Sequence, residues 1–384
     1  VLVVCAAVIL ALTLGTGQTP PATDADTQPS QPSQTQQDKP AETTVIHLAA
    51  VGDLNVTQSV VSAATGDTDF TGALLDVAPL LAHADIAAVN LEGNFAGAPY
   101  GTDRSAPQQL AQALKAAGVD AVQLANSYSI YKGMAGLSAT VNAVRTAGME
   151  PLGAYADPQE AKAGKGYSLI TVQGVKVAFV AFTKGMDGMA LPAGSENCVN
   201  LLYTDYASDY QKIDTDGITR VLDSAKREKP DIIVAMLHWG SEYNNTVSES
   251  QQDICKLLQS QGVDAIIGTH AHYVQQMQFD ADSGQFVAYC LGDFWGDGSR
   301  SGTEYSVVLD LEITKDNKKG DAKITGFSYT PIFTVAEEGK PSRVVRIREA
   351  MAAYESEYID RVSDSTYQAM AYALGRIEAR IAGE

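Results

Sequence analysis

From Val45 onward, short runs rich in β-branched and small apolar residues alternate with segments of helical spacing. This alternation constrains the fold more than any other feature of the chain. VIHLAAVG (Val45–Gly52), DIAAVNL (Asp85–Leu91) and VDAVQLA (Val119–Ala125) read as strands. The spacing predicts helices over Gly72–Ala82, Gln108–Ala117 and Leu137–Ala147. Repeated strand-helix-strand steps require parallel pairing, because a crossover helix returns the chain to the same sheet edge. Tyr167–Thr183 instead carries two β-branched runs about Gln173-Gly174, a hairpin signal that adds an antiparallel element, so the sheets are mixed. A helix over Asp216–Arg227, the run DIIVAML (Asp231–Leu237), a helix over Glu249–Gln261 and VDAIIG (Val263–Gly268) resume the first pattern. Strands near Val274–Phe279, Phe286–Leu291, Tyr305–Ile313 and Lys323–Val335 follow, and Ser342–Ile381, just after Pro341, reads as amphipathic helix.

The chain ahead of Val45 has a different composition. Val1–Leu14 is uncharged and apolar, and residues 1–16 are read as a signal or membrane anchor segment. Residues 17–44 are a Pro, Gln, Thr and Ser-rich stalk, too poor in large apolar groups to offset the entropy of ordering. The remainder divides into a domain over 45–340 and a C-terminal helical extension over 341–384. An anchor followed by a stalk implies a cell-membrane location facing the extracytoplasmic side, or secretion if the first segment is cleaved. The formal net charge of −19 repels phosphate backbones and argues against nucleic acid as a partner. It also repels a polyanion, so contact with one needs a local cation. Outside the apolar run lie Cys198, Cys255 and Cys290; none forms a CxxC pair, and burial as small apolar side chains is the simplest reading.

Three of the five histidines, His238, His270 and His272, directly follow apolar strand runs, in AMLHWG and IIGTHAH. Acids recur in the same context: Asp53 in VGDLN, Glu92 in NLEG and Asp293 in LGDF. In α/β sheets ligands bind beyond the carboxyl ends of strands, which is where these residues fall. Imidazoles and carboxylates converging from several strand ends are the donor set for one or two divalent cations. Taken singly, Asp53 reads equally as a turn or cap acid, and the His270/His272 pair as loop or core residues; the constellation points to metal. His47, inside a strand, and His83, at a helix end, read as structural.

Five ordered blocks resemble the CapA-type (poly-γ-glutamate) capsule synthesis proteins, a family with the calcineurin-like metallophosphoesterase fold. They are AAVGDLN, DIAAVNLEGNF, DIIVAMLHWGSEY, GVDAIIGTHAHYVQ and AYCLGDFWGD, and the resemblance spans about Val45–Val335. It implies a two-sheet α/β sandwich with mixed sheets and a metal site built from Asp53, Glu92, His238, His270 and His272. One or two ions of manganese, magnesium, iron or zinc suit that set. It adds Asn90, Asn126, Ser127, Glu242 and Asp293 as further site candidates. The partners it implies are capsule-synthesis membrane proteins or an anionic surface polymer.

One block departs from that family. Where the third strand of the family leads into Ala-Asn-Asn-His and then an Asp, this chain reads ANSYSIYKG (Ala125–Gly133). Ser127 replaces the ligand Asn, Tyr128 the His and Tyr131 the Asp. A hydroxyl is a weak ligand for a divalent ion, and a phenol titrating near 10 is a poor general acid at neutral pH. The departure weakens both metal occupancy and the case for a metallophosphoesterase-like hydrolase. A protein that binds a polymer or partner with little or no catalysis is the favoured reading, and a secreted metal-dependent phosphoesterase is the alternative.

Overall fold

A computed structural model describes residues 42–66, 68–359 and 361–384. The N-terminal segment and all but the last residues of the stalk lie outside the described residues. The strands in chain order are β1 (Thr43–Asn55), β2 (Ile86–Glu92), β3 (Ala121–Gln123), β4 (Glu150–Leu152), β5 (Tyr167–Val172), β6 (Val175–Thr183), β7 (Ile232–His238), β8 (Ala265–Thr269), β9 (Met277–Asp280), β10 (Gln285–Ala288), β11 (Asp293–Trp295), β12 (Tyr305–Asp316), β13 (Ala322–Val335) and β14 (Arg343–Arg346). They form two mixed sheets. An eight-stranded sheet has the order β14-β13-β12-β1-β2-β3-β4, with β11 added beside the end of β1; a six-stranded sheet runs β5-β6-β7-β8-β10-β9. Pairing is parallel from β1 through β4 and from β6 through β8, where crossover helices intervene, and also between β8 and β10; it is antiparallel for β1-β12-β13-β14, β5-β6 and β9-β10.

Period-two alternation decides which side chains each face buries. Along β6, Val177, Phe179 and Ala181 point into the space between the sheets and meet Ile46, Leu48 and Ala50 of β1. Ala178, Val180 and Phe182 point outward, against Ile218, Leu222, Ile254 and Leu258 of the helices Thr215–Arg227 and Glu249–Ser260. On the far side, Ala49, Ala87 and Val89 pack on Leu110, Leu114, Leu137 and Val141. The result is a four-layer α/β/β/α sandwich. Each fully buried side chain such as Phe179 contributes about 1.5–3 kcal/mol.

Local differences from the sequence reading have local causes. Gly72–Ala82 is two short helices, Thr71–Leu74 and Ala78–His83, because Pro79 cannot continue the first and instead starts the second. Ser342–Ile381 is not a single helix. Its alternating RVVR pairs with β13 as strand β14, a helix Ile347–Glu355 follows, and Ser363 caps a separate helix Asp364–Ala382. Strands β4 and β11, three residues each, are too short to show a period. Among the described residues no helix is long and apolar enough to cross a membrane.

Candidate metal centre

The carboxyl ends of β1, β2, β7 and β8 open on the same side, and each hands a side chain to one buried cluster. Asp53 lies near the end of β1, where the pairing with β2 skips one residue between Ala50 and Asp53. Such a bulge re-aims the side chain that follows it. Two glycines permit the approach: a Cβ on Gly52 would lie 1.8 Å from the Gly292 carbonyl oxygen, which accepts the Asp53 amide at 3.0 Å. Asp53 and Asp293 are thereby register partners across β1 and β11.

Two groups of potential ligands result. Glu92, His238 and His270 form one; Asp53, His272 and Asp293 form the other; all six are buried, and within each group the ligand atoms lie within 4.8 Å of one another. In the second group His272 Nδ1 is 2.7 Å from Asp293 Oδ1 and 3.5 Å from Asp53 Oδ2. Asn90 donates to Asp53 Oδ1 at 2.6 Å, and Asn126 donates to Asn90 Oδ1 at 3.0 Å. Ser127 Oγ is 3.0 Å from His238 Nε2, whose Nδ1 lies 3.2 Å from Thr269 Oγ1. His270 and His272 both adopt left-handed backbone, φ 87° and 59°. Outside glycine such conformations cost about 1–3 kcal/mol each and cluster at functional sites.

The first group carries the clearest fit to a divalent cation. Glu92 Oε1 and His270 Nδ1 are both buried and have no hydrogen-bond partner among the described residues. Buried polar atoms are nearly always paired, and two orphans in one ligand group fit a divalent ion that both would coordinate. The electrostatics agree. Burial pushes the Asp53 carboxyl up to about 6 and raises Glu92 well above the usual carboxylate range, with Asp53 reinforcing the latter. Burial holds His238 and His270 far below the ordinary imidazole value, as neutral ligands. At His272 burial opposes protonation, but the carboxylates of Asp293, Glu92 and Asp53 outweigh it and raise the imidazole. Burial also raises Asp293, against the pull of His272. A cation would stabilise every one of these carboxylates.

Other sequence candidates border the cluster. Exposed Glu242 lines a pocket of about 260 Å³ together with Ser127, Lys184 and His270. Tyr128 accepts a hydrogen bond from Arg104 Nη2 at 2.9 Å, and burial pushes its phenol up to about 12. Tyr131 is 41% exposed and packs edge-on against Tyr128. His47 pairs with Asp310 and His83 closes its helix, both away from the cluster. Arg104, Lys184 and Asn55 carry no signal in the spacing of the chain, although Asn55 closes the first block. Cys198, Cys255 and Cys290 are free and buried.

The two-sheet α/β fold is of the metallophosphoesterase type. The family model described as bacterial capsule synthesis protein PGA_cap matches residues 47–297, and the chain belongs to that family. Capsule biosynthesis protein CapA of Bacillus anthracis is 28% identical over 252 residues, 63% of this chain and 57% of that protein. The PGA biosynthesis protein CapA of Bacillus subtilis (strain 168) is 25% identical over 263 residues, 67% of this chain and 63% of that protein. The chain therefore spans about three fifths of the length of these relatives. Among solved structures, a putative 5'-nucleotidase from Staphylococcus aureus superposes with a TM-score of 0.50 at 15% identity, covering 76% of this chain and 55% of that one, which shows a shared fold.

Proposed function

We propose that this protein serves capsule biosynthesis of the poly-γ-glutamate type on the extracytoplasmic side of the cell membrane. Its metal centre holds an anionic polymer or a partner of the export machinery, with little or no hydrolytic turnover. The observation that carries this reading is the state of Tyr128. Its phenol accepts a hydrogen bond from Arg104, and burial pushes it up to about 12 against that cation, so at neutral pH it does not release a proton to a leaving group as an imidazolium would. Glu92, His238 and His270 would hold one divalent ion, with Asp53, His272 and Asp293 beside it for a second. A bound ion there would supply positive charge for an anion and polarise its oxygen. It would also supply the local positive charge that a polyanion needs to approach a chain of net charge −19.

The adjacency of two ligand groups favours a second reading, metal-dependent phosphoester hydrolysis, because paired ions stabilise both the entering and the departing oxygen. Manganese-loaded protein separates the two when given an aryl phosphate and, separately, a γ-linked glutamate oligomer. The first reading expects binding of the oligomer and aryl phosphate hydrolysis close to the metal-only background. Rapid aryl phosphate turnover with no oligomer binding would replace it with the second.

A further inference from the structure

Arg104 reaches the centre through Asn55, which lies against His272. It sits in a loop where both Asp103 and Arg104 have left-handed backbone, φ 51° and 55°. Neither is a glycine, so the loop holds them there against their preference. Asn94 does much of the holding, donating to the carbonyls of Asp103 at 2.9 Å and Arg104 at 3.1 Å, while its own amide donates to the Arg104 carbonyl at 2.8 Å. The guanidinium lies over the Tyr128 ring, 4.4 Å from its centroid. Nη2 donates to the phenol at 2.9 Å and Nη1 to Asn55 Oδ1 at 3.1 Å. Asn55 Nδ2 in turn lies 3.4 Å from His272 Nδ1.

Both of these hydrogen-bond partners are neutral, and among the described residues Arg104 forms no ion pair. By contrast Lys132, in the same region, is matched by Asp103. The carboxylates whose charge Arg104 feels are Glu92 and Asp293, both members of the ligand groups and so committed to a cation when one is bound. A guanidinium has five donors, of which two are used here. What remains is a fixed, partly buried planar cation beside the ligand groups, with spare donors and no ion pair among the described residues. That is the geometry for gripping an oxyanion two-pronged.

We propose that Arg104 is the anion-binding residue of this site: its guanidinium takes a carboxylate of the acidic ligand, and Tyr128 and Asn55 are positioning residues that hold it flat toward the metal groups. The substitution of Tyr for His at position 128 then has a positive role. It gives up a proton donor and supplies the aromatic shelf and phenol oxygen on which Arg104 rests. This inference rests on the reading that the site holds an anionic polymer, and it deepens that reading by naming the residue that recognises the carboxylate.

The test is calorimetric titration of the manganese-loaded protein with γ-linked tetraglutamate and, in a parallel arm, with inorganic phosphate. Wild type, Arg104→Gln, Arg104→Lys and Tyr128→Phe are compared, and manganese affinity is measured on each. Loss of a charge-assisted pair should weaken tetraglutamate binding roughly 10- to 100-fold in Arg104→Gln. Arg104→Lys keeps the charge but not the fork and should recover only part of the loss, while Tyr128→Phe, which loses the phenol contact, should weaken binding less than Arg104→Gln. Manganese affinity should stay equal or rise in Arg104→Gln, because a cation beside the ion is removed; simple damage to the fold would weaken both ligands together. Tetraglutamate affinity unchanged in Arg104→Gln overturns the inference while leaving the polymer reading intact. Wild type that binds manganese but not tetraglutamate overturns both, and binding of phosphate alone reassigns Arg104 to a phosphate ligand and rejects the carboxylate.

Discussion

The hydroxyl of Ser127 lies 3.0 Å from Nε2 of His238, at the point where the family resemblance places an amide ligand. The hydroxyl partners the imidazole, but it brings neither the reach nor the donor strength of an Asn carbonyl.

Restoring the family residues should therefore strengthen the site. The double change Ser127→Asn with Tyr128→His is expected to tighten manganese binding about ten-fold or more, by analogy with the 10–100-fold effect of groups that merely support ligands. It should raise aryl phosphate turnover by roughly 10²-fold or more if the imidazole acts as a proton donor. Ser127→Asn alone should change affinity with little effect on turnover, which steady-state kinetics beside a manganese titration will show.

The orphaned atoms Glu92 Oε1 and His270 Nδ1 lead to a prediction about stability. A ligand that binds only the folded state at about 100 times its Kd contributes about 2.7 kcal/mol. For a domain of this size that raises Tm by roughly 4 °C. Calorimetric melting with and without manganese should show that rise in the wild-type protein, its loss in Glu92→Gln and its reduction in His270→Ala.

Gly52 and Gly292 form the tightest backbone contact of the centre. A methyl group at position 52 would overlap the Gly292 carbonyl oxygen and push β11 away from β1, separating Asp53 from Asp293. Gly52→Ala is expected to destabilise the fold by about 3 kcal/mol or more, since backbone cannot step aside as a side chain does. Denaturant unfolding reads the loss directly.

How much of this was legible in the sequence varied with the distance over which the information is written. The ends of β1, β2 and β7 could be read because apolar runs stop at Asp53, Glu92 and His238, and the strand-to-site rule does the rest. Asp293 could be read as an acid following an apolar run, but its place beside Asp53 depends on β11, whose three residues carry no periodicity. Arg104 was not legible, because a loop held by Asn94 and two left-handed residues has no pattern to detect. The C-terminal region misled because RVVR is too short to interrupt a helical reading, although the β-branched pair and the later Ser363 cap mark the true boundaries.

At the C-terminal region a pH dependence follows. Glu337 is partly desolvated, which would raise its carboxyl. Hydrogen bonds from Lys340 at 2.8 Å, the Ser363 amide at 2.7 Å and Thr366 Oγ1 at 3.0 Å outweigh this and lower it to about 2. A depressed carboxyl contributes stability that is present above its unfolded value, near 4.5, and is lost as pH falls toward 2. Hydrogen exchange should show the helix Asp364–Ala382 losing protection across that window. Glu337→Gln should remove most of the dependence and weaken the helix at neutral pH.

Everything proposed for this site depends on a divalent cation held by Glu92, His238 and His270, the group with the two orphaned atoms. Titration of chelator-stripped protein with manganese, followed by calorimetry, tests it most directly. The expected result is saturable binding of one ion per chain, abolished in Glu92→Gln and weakened in His238→Ala and His270→Ala. Absence of saturable binding in the wild-type protein, or binding that survives Glu92→Gln undiminished, would contradict it.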